Sequence, residues 1–174
     1  MRIWSKLSVI VTALLSVACS VTPPADVKVV NNFELNRYLG TWYEVARLDH
    51  SFESGLERVT ANYSLRDDGG VKVINRGFNP QKNKWQESEG KGYFTGSTAR
   101  AALKVSFFGP FYGGYNVIEL DKDYRYALVC GPDKSYLWIL SRTPTLDDSV
   151  KQQLLNTAQG YGFDTSKLVW VKQP

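Results

Sequence analysis

Short segments rich in β-branched and aromatic residues alternate with turn residues along most of the chain. The first runs from Gly40 to Asp49, and two more lie on either side of the sequence DDGG at 67–70, which is typical of a β-hairpin turn. The other five are KWQESEGKGYF, AALKVSFF, YNVIELD, YRYALVC and SYLWILSR. Regularly spaced short strands of this kind predict an antiparallel β-sandwich or β-barrel.

The hydrophobic period changes near the C terminus. Apolar residues there recur at every fourth position: Leu146, Val150, Leu154 and Ala158. This spacing predicts one amphipathic α-helix with Thr145 as its N-cap and an end near Gly160 to Gly162, and KLVWV predicts a short final strand. Eight up-and-down strands followed by one helix are the order of a closed eight-stranded antiparallel β-barrel, a size whose interior can hold one small ligand.

The first 18 residues have the features of an exported leader. Basic residues precede the apolar sequence LSVIVTALLSVA, which is shorter than the about 20 residues that span a membrane as a helix. SVAC at 16–19 resembles the lipobox of bacterial lipoproteins, in which the Cys is acylated and becomes the first residue after cleavage. We therefore expect a signal peptide over residues 1–18, Cys19 as the lipid anchor, and residues 19–30 as the lipidated N terminus and tether.

Two residues beside the lipobox bear on this expectation. Ser16 stands where lipoboxes prefer Leu, so an ordinary signal peptide cleaved near Ala18 is the alternative. Ser20 follows the Cys in place of the Asp that retains lipoproteins in the inner membrane. The resemblance therefore implies anchoring in the outer membrane, with the folded domain on the periplasmic side.

The charge balance changes once the leader is set aside. Two of the 21 Lys and Arg residues lie in the leader, so 19 remain against 17 Asp and Glu, an excess of two positive charges. No basic stripe or run of like charges occurs, so a nucleic-acid partner is not expected. If Cys19 is acylated, Cys130 has no disulfide partner, and the domain depends on its hydrophobic core.

Three sequence blocks carry a family resemblance. NFELNRYLGTWYEVAR resembles the first conserved block of the lipocalins, LDKDYRYALV resembles the second, and LWILSRTP resembles the third. They occur in the family's order, and the resemblance covers residues 31–174 as one barrel domain. The sequence closely resembles the bacterial outer-membrane lipocalins, and this resemblance implies neither a cofactor nor a metal ion.

The resemblance assigns structural roles to three motif residues. It implies that Trp42 closes the blind end of the barrel and that Arg142 lies across its indole face, a cation–π contact. The missing side chain at Gly40 would let the backbone pass close to this plug. A ligand would then enter at the opposite end.

The alternation of side chains gives candidate pocket residues. On SYLWILSR, Tyr136, Trp138 and Leu140 share one face, and on ALKVSFF an exposed Lys104 assigns three residues to the inner face. These three are Leu103, Val105 and Phe107. Small inward residues on KWQESEGKGYF favour a cavity, and Tyr115 is predicted to lie on the path of an entering ligand.

The family resemblance and the predicted anchor together imply lipid binding. The expected ligand is a fatty acid such as palmitate or a lysophospholipid, stored or transported in outer-membrane maintenance, particularly under stress. The other expected partner is the outer membrane, reached through the lipid anchor. The sequence leaves open whether the protein forms a homodimer.

Two other functions stay open. Some lipocalins isomerise a lipid with a thiol inside the barrel, and Cys130 would need a nearby cation or His to be reactive in this way. In the other alternative, a barrel filled by its own side chains serves as a structural module of the envelope. His50, the single His, has no companions at metal-ligand spacing, and no catalytic motif is present, so enzyme activity is not expected.

One charged residue of the first strand is hard to place from the sequence. Glu44 has the same parity as Trp42, so it points into the barrel or is twisted to its rim. A carboxylate inside the barrel would need an Arg or Tyr partner.

Overall fold

The computed structural model describes residues 20–174, so the predicted signal peptide and Cys19 lie outside the described residues. The strands are β1 (Gly40–Leu48), β2 (Glu57–Leu65), β3 (Val71–Asn79), β4 (Lys84–Phe94), β5 (Ala102–Ser106), β6 (Gly113–Leu120), β7 (Tyr126–Cys130), β8 (Leu137–Ser141) and β9 (Leu168–Trp170). The helices are α1 (Leu35–Tyr38) and α2 (Asp148–Gly160), and a 3₁₀ turn covers Thr165–Lys167.

The first eight strands form a closed antiparallel barrel. Each strand from β1 to β8 pairs with the next, and β8 pairs back onto β1. β9 adds to the second half of β1 outside this ring. The predicted barrel, the single main C-terminal helix and the short final strand are therefore confirmed.

Two apolar clusters lie on opposite faces of the barrel wall. The inner cluster fills the barrel and includes Trp42, Val129 and Leu140. The outer cluster packs the wall against α2 and includes Leu128 and Leu154. Because successive side chains of a strand point to opposite faces, a strand such as β7 contributes to both clusters.

The start of α2 differs from the prediction. Asp147 occupies the N-cap position, without a side-chain capping hydrogen bond, and the helix begins at Asp148. The carbonyl of Thr145 instead accepts a hydrogen bond from the Thr143 hydroxyl. The apolar spacing located the helix because Leu154 and Ala158 face the barrel, but it did not locate the cap.

The blind end is closed around Trp42. Its indole is fully buried, and its N–H donates to the Tyr38 carbonyl at 2.8 Å. The Arg142 guanidinium carbon lies 4.0 Å from the centre of the Trp42 ring and its nitrogens donate to backbone carbonyls, including that of Thr41. Gly40 has a φ of +97°, and a Cβ there would lie 3.4 Å from Arg142, so a side chain would be strained in this position.

The wall between β1 and β2 is completed by the C terminus. β1 pairs with β2 only through Gly40–Tyr43, and its second half pairs with β9. Beyond Tyr43, the backbone N–H of Val171 donates to the Val45 carbonyl, and the backbone N–H of Arg58 donates to the Lys172 carbonyl. The Gln173 side-chain amide donates to the carbonyls of Glu44 (2.7 Å) and Val59 (3.0 Å).

Replacing Trp42 by Ala is expected to lower the free energy of unfolding by about 3 to 5 kcal/mol, as for other buried large aromatic truncations. Arg142→Ala should cost less. Urea denaturation of the two single variants and the double variant gives their coupling energy. Strictly additive effects would contradict an energetically coupled stack.

Candidate functional site

The open end of the barrel lies opposite Trp42. Trp42 is near the start of β1, so the loops that follow odd-numbered strands lie at the far end. These loops cover residues 49–56, 80–83, 107–112 and 131–136. They form the mouth of the barrel, and α1 lies at the blind end.

The predicted pocket residues separate into a wall group and a mouth group. Leu103 and Leu140 are buried in the inner cluster, and Val105, Tyr115 and Trp138 pack against it. The other two, Tyr136 and Phe107, lie in mouth loops.

Tyr136 stacks on His50 at a ring distance of 3.9 Å. The Phe107 ring lies against Gly90, which is on the same face of β4 as Gly92 of the cavity lining, so Phe107 faces inward as Leu103 and Val105 do. It is 42% exposed because it lies just beyond the end of β5, at the mouth.

Three tyrosine hydroxyls meet inside the barrel. Tyr115 is hydrogen-bonded to Tyr38 at 2.7 Å and to Tyr63 at 2.8 Å. Burial raises the pKa of all three hydroxyls above the ordinary value for tyrosine, so they stay neutral. Sequence reasoning identified only Tyr115, because the other two come from distant elements and only the closed barrel brings them together.

The cavity beside these tyrosines is small. It measures about 20 Å³, and its lining consists of apolar side chains, Gly92 and the three tyrosines. This volume holds about one water molecule. An acyl chain can enter this part of the barrel only if interior side chains move.

A β-bulge in β1 places two opposite charges inside the barrel. The register with β8 shifts between Glu44 and Ala46, so Glu44 and Arg47 both face inward although they are three residues apart. Arg47 is 1% exposed, and its Nη1 donates to Glu44 at 2.9 Å. Arg47 is therefore the partner that the buried Glu44 requires. The sequence did not predict Arg47 as an interior residue, because strict alternation places it on the outer face of β1.

A second carboxylate reaches this position from the 49–56 loop. Glu53 is 8% exposed, and its carboxylate accepts a hydrogen bond from the Trp138 indole N–H at 3.1 Å. Arg47 Nε donates to Asp49 at 2.8 Å. Arg47, Trp138, Glu44, Asp49 and Glu53 thus form a polar cluster near the mouth, above the apolar interior.

Burial changes the titration of this polar cluster. Burial raises the pKa of Glu53 to about 8, with a further contribution from the Glu44 charge, and the Arg47 charge offsets only part of this. Burial also raises the pKa of Glu44 to about 7, although the hydrogen bond from Arg47 opposes the shift. The cluster therefore holds protons near neutral pH that exposed carboxyls would release.

Cys130 lies on the other side of the wall. It is fully buried in the outer cluster, against α2, and not in the barrel interior. Burial raises the pKa of its thiol to about 12. A lipid inside the barrel would not meet this thiol, so the geometry contradicts an isomerase mechanism based on Cys130.

Exposed phenylalanines surround the mouth. Phe108 is 77% exposed and Phe111 is 58% exposed, both in the 107–112 loop, and Phe52 is exposed in the 49–56 loop. The first described residues lie at the same end, because a Cβ on Gly114 would be 2.8 Å from the carbonyl oxygen of Val21. The chain that leads to Cys19 therefore starts beside the mouth.

Within residues 20–174, no group of three His, Cys, Asp or Glu side chains is arranged to hold a metal ion. His50 Nε2 donates a hydrogen bond to the Ser135 carbonyl at 2.8 Å, and His50 lies in the mouth. No helix in the described part of the chain is long and apolar enough to cross a membrane.

The raised pKa of Glu53 predicts a loss of stability as pH rises. Between its unfolded value of 4.5 and about 8, the folded state keeps a proton that the unfolded chain has lost, so rising pH favours unfolding. Glu53→Gln should flatten the fall in urea-derived unfolding free energy between pH 5 and pH 8. The exposed Glu87→Gln is the matched control, and an equal slope in both variants would contradict this prediction.

Comparison with known proteins agrees with this architecture. Residues 33–173 match the lipocalin-like domain family. The chain is 66% identical over 175 residues to the outer membrane lipoprotein Blc of Escherichia coli (strain K12), covering 100% of this chain and 99% of that protein. It is 52% identical over 168 residues to the protein of the same name in Vibrio cholerae, covering 92% of this chain and 98% of the relative.

A solved structure extends the likeness to the fold of a eukaryotic protein. Insecticyanin from the tobacco hornworm Manduca sexta superposes with a TM-score of 0.70 at 24% identity, over 89% of this chain and 88% of that chain. The closed barrel, the plug at Trp42 and the full-length sequence matches lead to one conclusion. The chain belongs to the lipocalin family.

Proposed function

We propose that the barrel binds one single-chain lipid, a fatty acid such as palmitate or a lysophospholipid, and stores or transports it in outer-membrane maintenance, particularly under stress. The observation that carries this proposal is the division of the interior. Apolar side chains and neutral tyrosines line the closed half, and a charged cluster lies near the mouth. An amphipathic molecule with its tail inward matches both halves.

The size of the interior favours one acyl chain over two. An eight-stranded barrel is only just wide enough for its own side chains or one small ligand. The cavity of about 20 Å³ beside Tyr115 means that even a single chain must displace interior side chains. A two-chain phospholipid would require a larger rearrangement.

The proposed location is the periplasmic side of the outer membrane, with Cys19 as the acylated anchor. The Escherichia coli and Vibrio cholerae relatives are named outer membrane lipoproteins. The described chain starts beside the mouth, next to exposed Phe108 and Phe111, so an anchor one residue before Ser20 would hold the mouth near the lipid surface. A lipid leaving the membrane would then have a short path into the barrel.

A second candidate is a structural module of the envelope that holds no ligand. The small cavity favours it, because a barrel that has filled itself has no need of a lipid. The buried charges near the mouth favour lipid binding instead, because a purely structural core gains little from a desolvated Arg and two carboxylates.

Lipid uptake separates these two candidates. Delipidated protein should retain palmitate or a palmitoyl lysophospholipid at one molecule per barrel in native mass spectrometry, and a two-chain phospholipid should bind less well. Tryptophan fluorescence should change saturably as Trp138 is desolvated. Retention of none of these lipids would rule out the proposed function in favour of the structural module.

Trp138→Ala should weaken palmitate binding roughly tenfold, because apolar contact is lost at roughly 25 cal/mol per Å². The control is Trp170→Ala, which removes an exposed tryptophan of β9 outside the barrel. Both variants should remain folded by circular dichroism. Undiminished palmitate affinity in a folded Trp138→Ala protein would contradict the predicted pocket.

Cys19→Ser should abolish acylation, because the hydroxyl cannot replace the thiol in a lipobox. The variant is expected as soluble periplasmic or unprocessed protein after cell fractionation, while the wild type sediments with the outer membrane. Unchanged membrane retention of the variant would contradict the lipoprotein assignment.

A further inference from the structure

We propose that Arg47 and Trp138 bind the anionic head group of the lipid, and that the Glu53 carboxylate occupies this position when no ligand is bound. This inference rests on the proposed function, because a head group reaches the position only if the lipid tail enters the barrel. It adds a specificity determinant, since an apolar barrel alone does not distinguish a charged lipid from a neutral one.

The two donors lie side by side on the inner face of the wall. Arg47 of β1 is the direct partner of Trp138 of β8 in the antiparallel ladder. The hydrogen bonds of Arg47 within residues 20–174 use Nε and Nη1, which leaves Nη2 without a partner in this part of the chain. A guanidinium N–H and an indole N–H on neighbouring residues suit an acceptor group with two oxygens.

Glu53 already shows how a carboxylate fits this position. Its Oε1 accepts from Trp138 Nε1 at 3.1 Å and its Oε2 lies 3.4 Å from the same nitrogen. Within residues 20–174, the ion pairs of Arg47 are with Glu44 and Asp49 and not with Glu53. The carboxylate of Glu53 is thus held by one hydrogen bond in a place where a free head group could also engage the guanidinium.

The charge count favours exchange over addition. Arg47 carries one positive charge and faces three carboxyl groups, those of Glu44, Asp49 and Glu53. A fourth acidic group would add to the repulsion among them. If Glu53 leaves as the head group arrives, the number of acidic groups around Arg47 is unchanged.

Glu53 is also the member of the cluster that is easiest to remove. Glu53 lies in the 49–56 loop, whereas Glu44 lies in β1 and pairs directly with Leu140 of β8. Burial raises the pKa of Glu53 to about 8. Moving the Glu53 side chain into water restores its ordinary pKa, so this movement is favourable near neutral pH. The exposed Phe52 beside it would move with the loop.

The direction of the acyl chain follows from the strand. Leu140 lies two residues beyond Trp138 on the same face of β8, toward the blind end, and belongs to the inner cluster. A head group at Arg47 therefore places the first methylenes of the tail against Leu140 and the rest toward Tyr115. The shared chemistry of the ligands is one acyl chain with a carboxylate or phosphate at its end.

Three lipids of equal chain length test this head-group site: palmitate, the anionic palmitoyl lysophosphatidylglycerol and neutral monopalmitoylglycerol. Binding is measured by calorimetric titration below the micelle concentration. Wild-type protein should bind both anionic lipids at least tenfold more tightly than monopalmitoylglycerol. Dependence of only one anionic lipid on Trp138 would identify whether a carboxylate or a phosphate is the preferred head group.

Trp138→Phe removes the indole N–H and keeps the aromatic wall, so it tests the site without a large cavity. It should reduce affinity for the anionic lipids severalfold and leave monopalmitoylglycerol unchanged. Trp170→Phe is the control. Arg47→Gln is combined with Glu44→Gln, so that no buried carboxylate loses its partner, and this double variant should lose the preference for anionic lipids.

Glu53→Ala tests the displacement step. It should strengthen palmitate binding severalfold, because no carboxyl group has to leave, whereas Ser51→Ala in the same exposed loop should have no effect. In a ¹⁵N–¹H spectrum, the Trp138 indole signal, assigned by its absence in Trp138→Phe, should shift with palmitate and less with monopalmitoylglycerol.

The outcomes separate the head-group site from the proposed function. Equal affinity for anionic and neutral lipids in every variant would overturn the head-group site and leave lipid binding intact. Unchanged or weaker palmitate binding by Glu53→Ala would overturn the displacement by the head group. Failure of all three lipids to bind the wild type would overturn both this inference and the proposed function.

Discussion

The β-bulge in β1 determines the chemical character of the barrel interior. By shifting the register against β8 between Glu44 and Ala46, it turns Ala46 toward the outer cluster, where Val45 already faces, and brings Arg47 to the inner face. In a regular strand, Arg47 would point into the apolar contact with α2, where a charge has no partner. The ion pair with Glu44 and the contact with Asp49 both depend on this one extra residue.

The polar side chains inside the barrel are either neutral or paired with a group of opposite charge. The tyrosine hydroxyls satisfy one another through Tyr115, and burial keeps them protonated. Nearer the mouth, Arg47 neutralises a carboxylate, and Glu53 tends to hold a proton. The interior therefore changes from apolar and neutral to charged along the barrel axis, which is the polarity profile of a single-chain lipid.

The sequence predicted the parts of the fold that local signals control. Turn residues and strand alternation located all eight strands, and alternation placed Leu103 and Leu140 inside. Alternation failed at Arg47, where a bulge makes the backbone depart from a regular strand.

Other site residues depend on contacts that no local pattern encodes. Glu53 reaches Trp138 because its loop folds over the mouth, 85 residues away along the chain. Tyr38 and Tyr63 meet Tyr115 only after the barrel closes. For the same reason, the small size of the cavity could not be derived from the small residues of β4, since side chains from other strands fill the space.

Residues 171–173 complete the barrel wall. Val171, Lys172 and Gln173 supply the hydrogen bonds that join β1 to β2 beside Glu44. Without these three residues, the two strands would be unjoined beside Glu44, and water would reach the buried charged pair through the wall itself and not through the mouth.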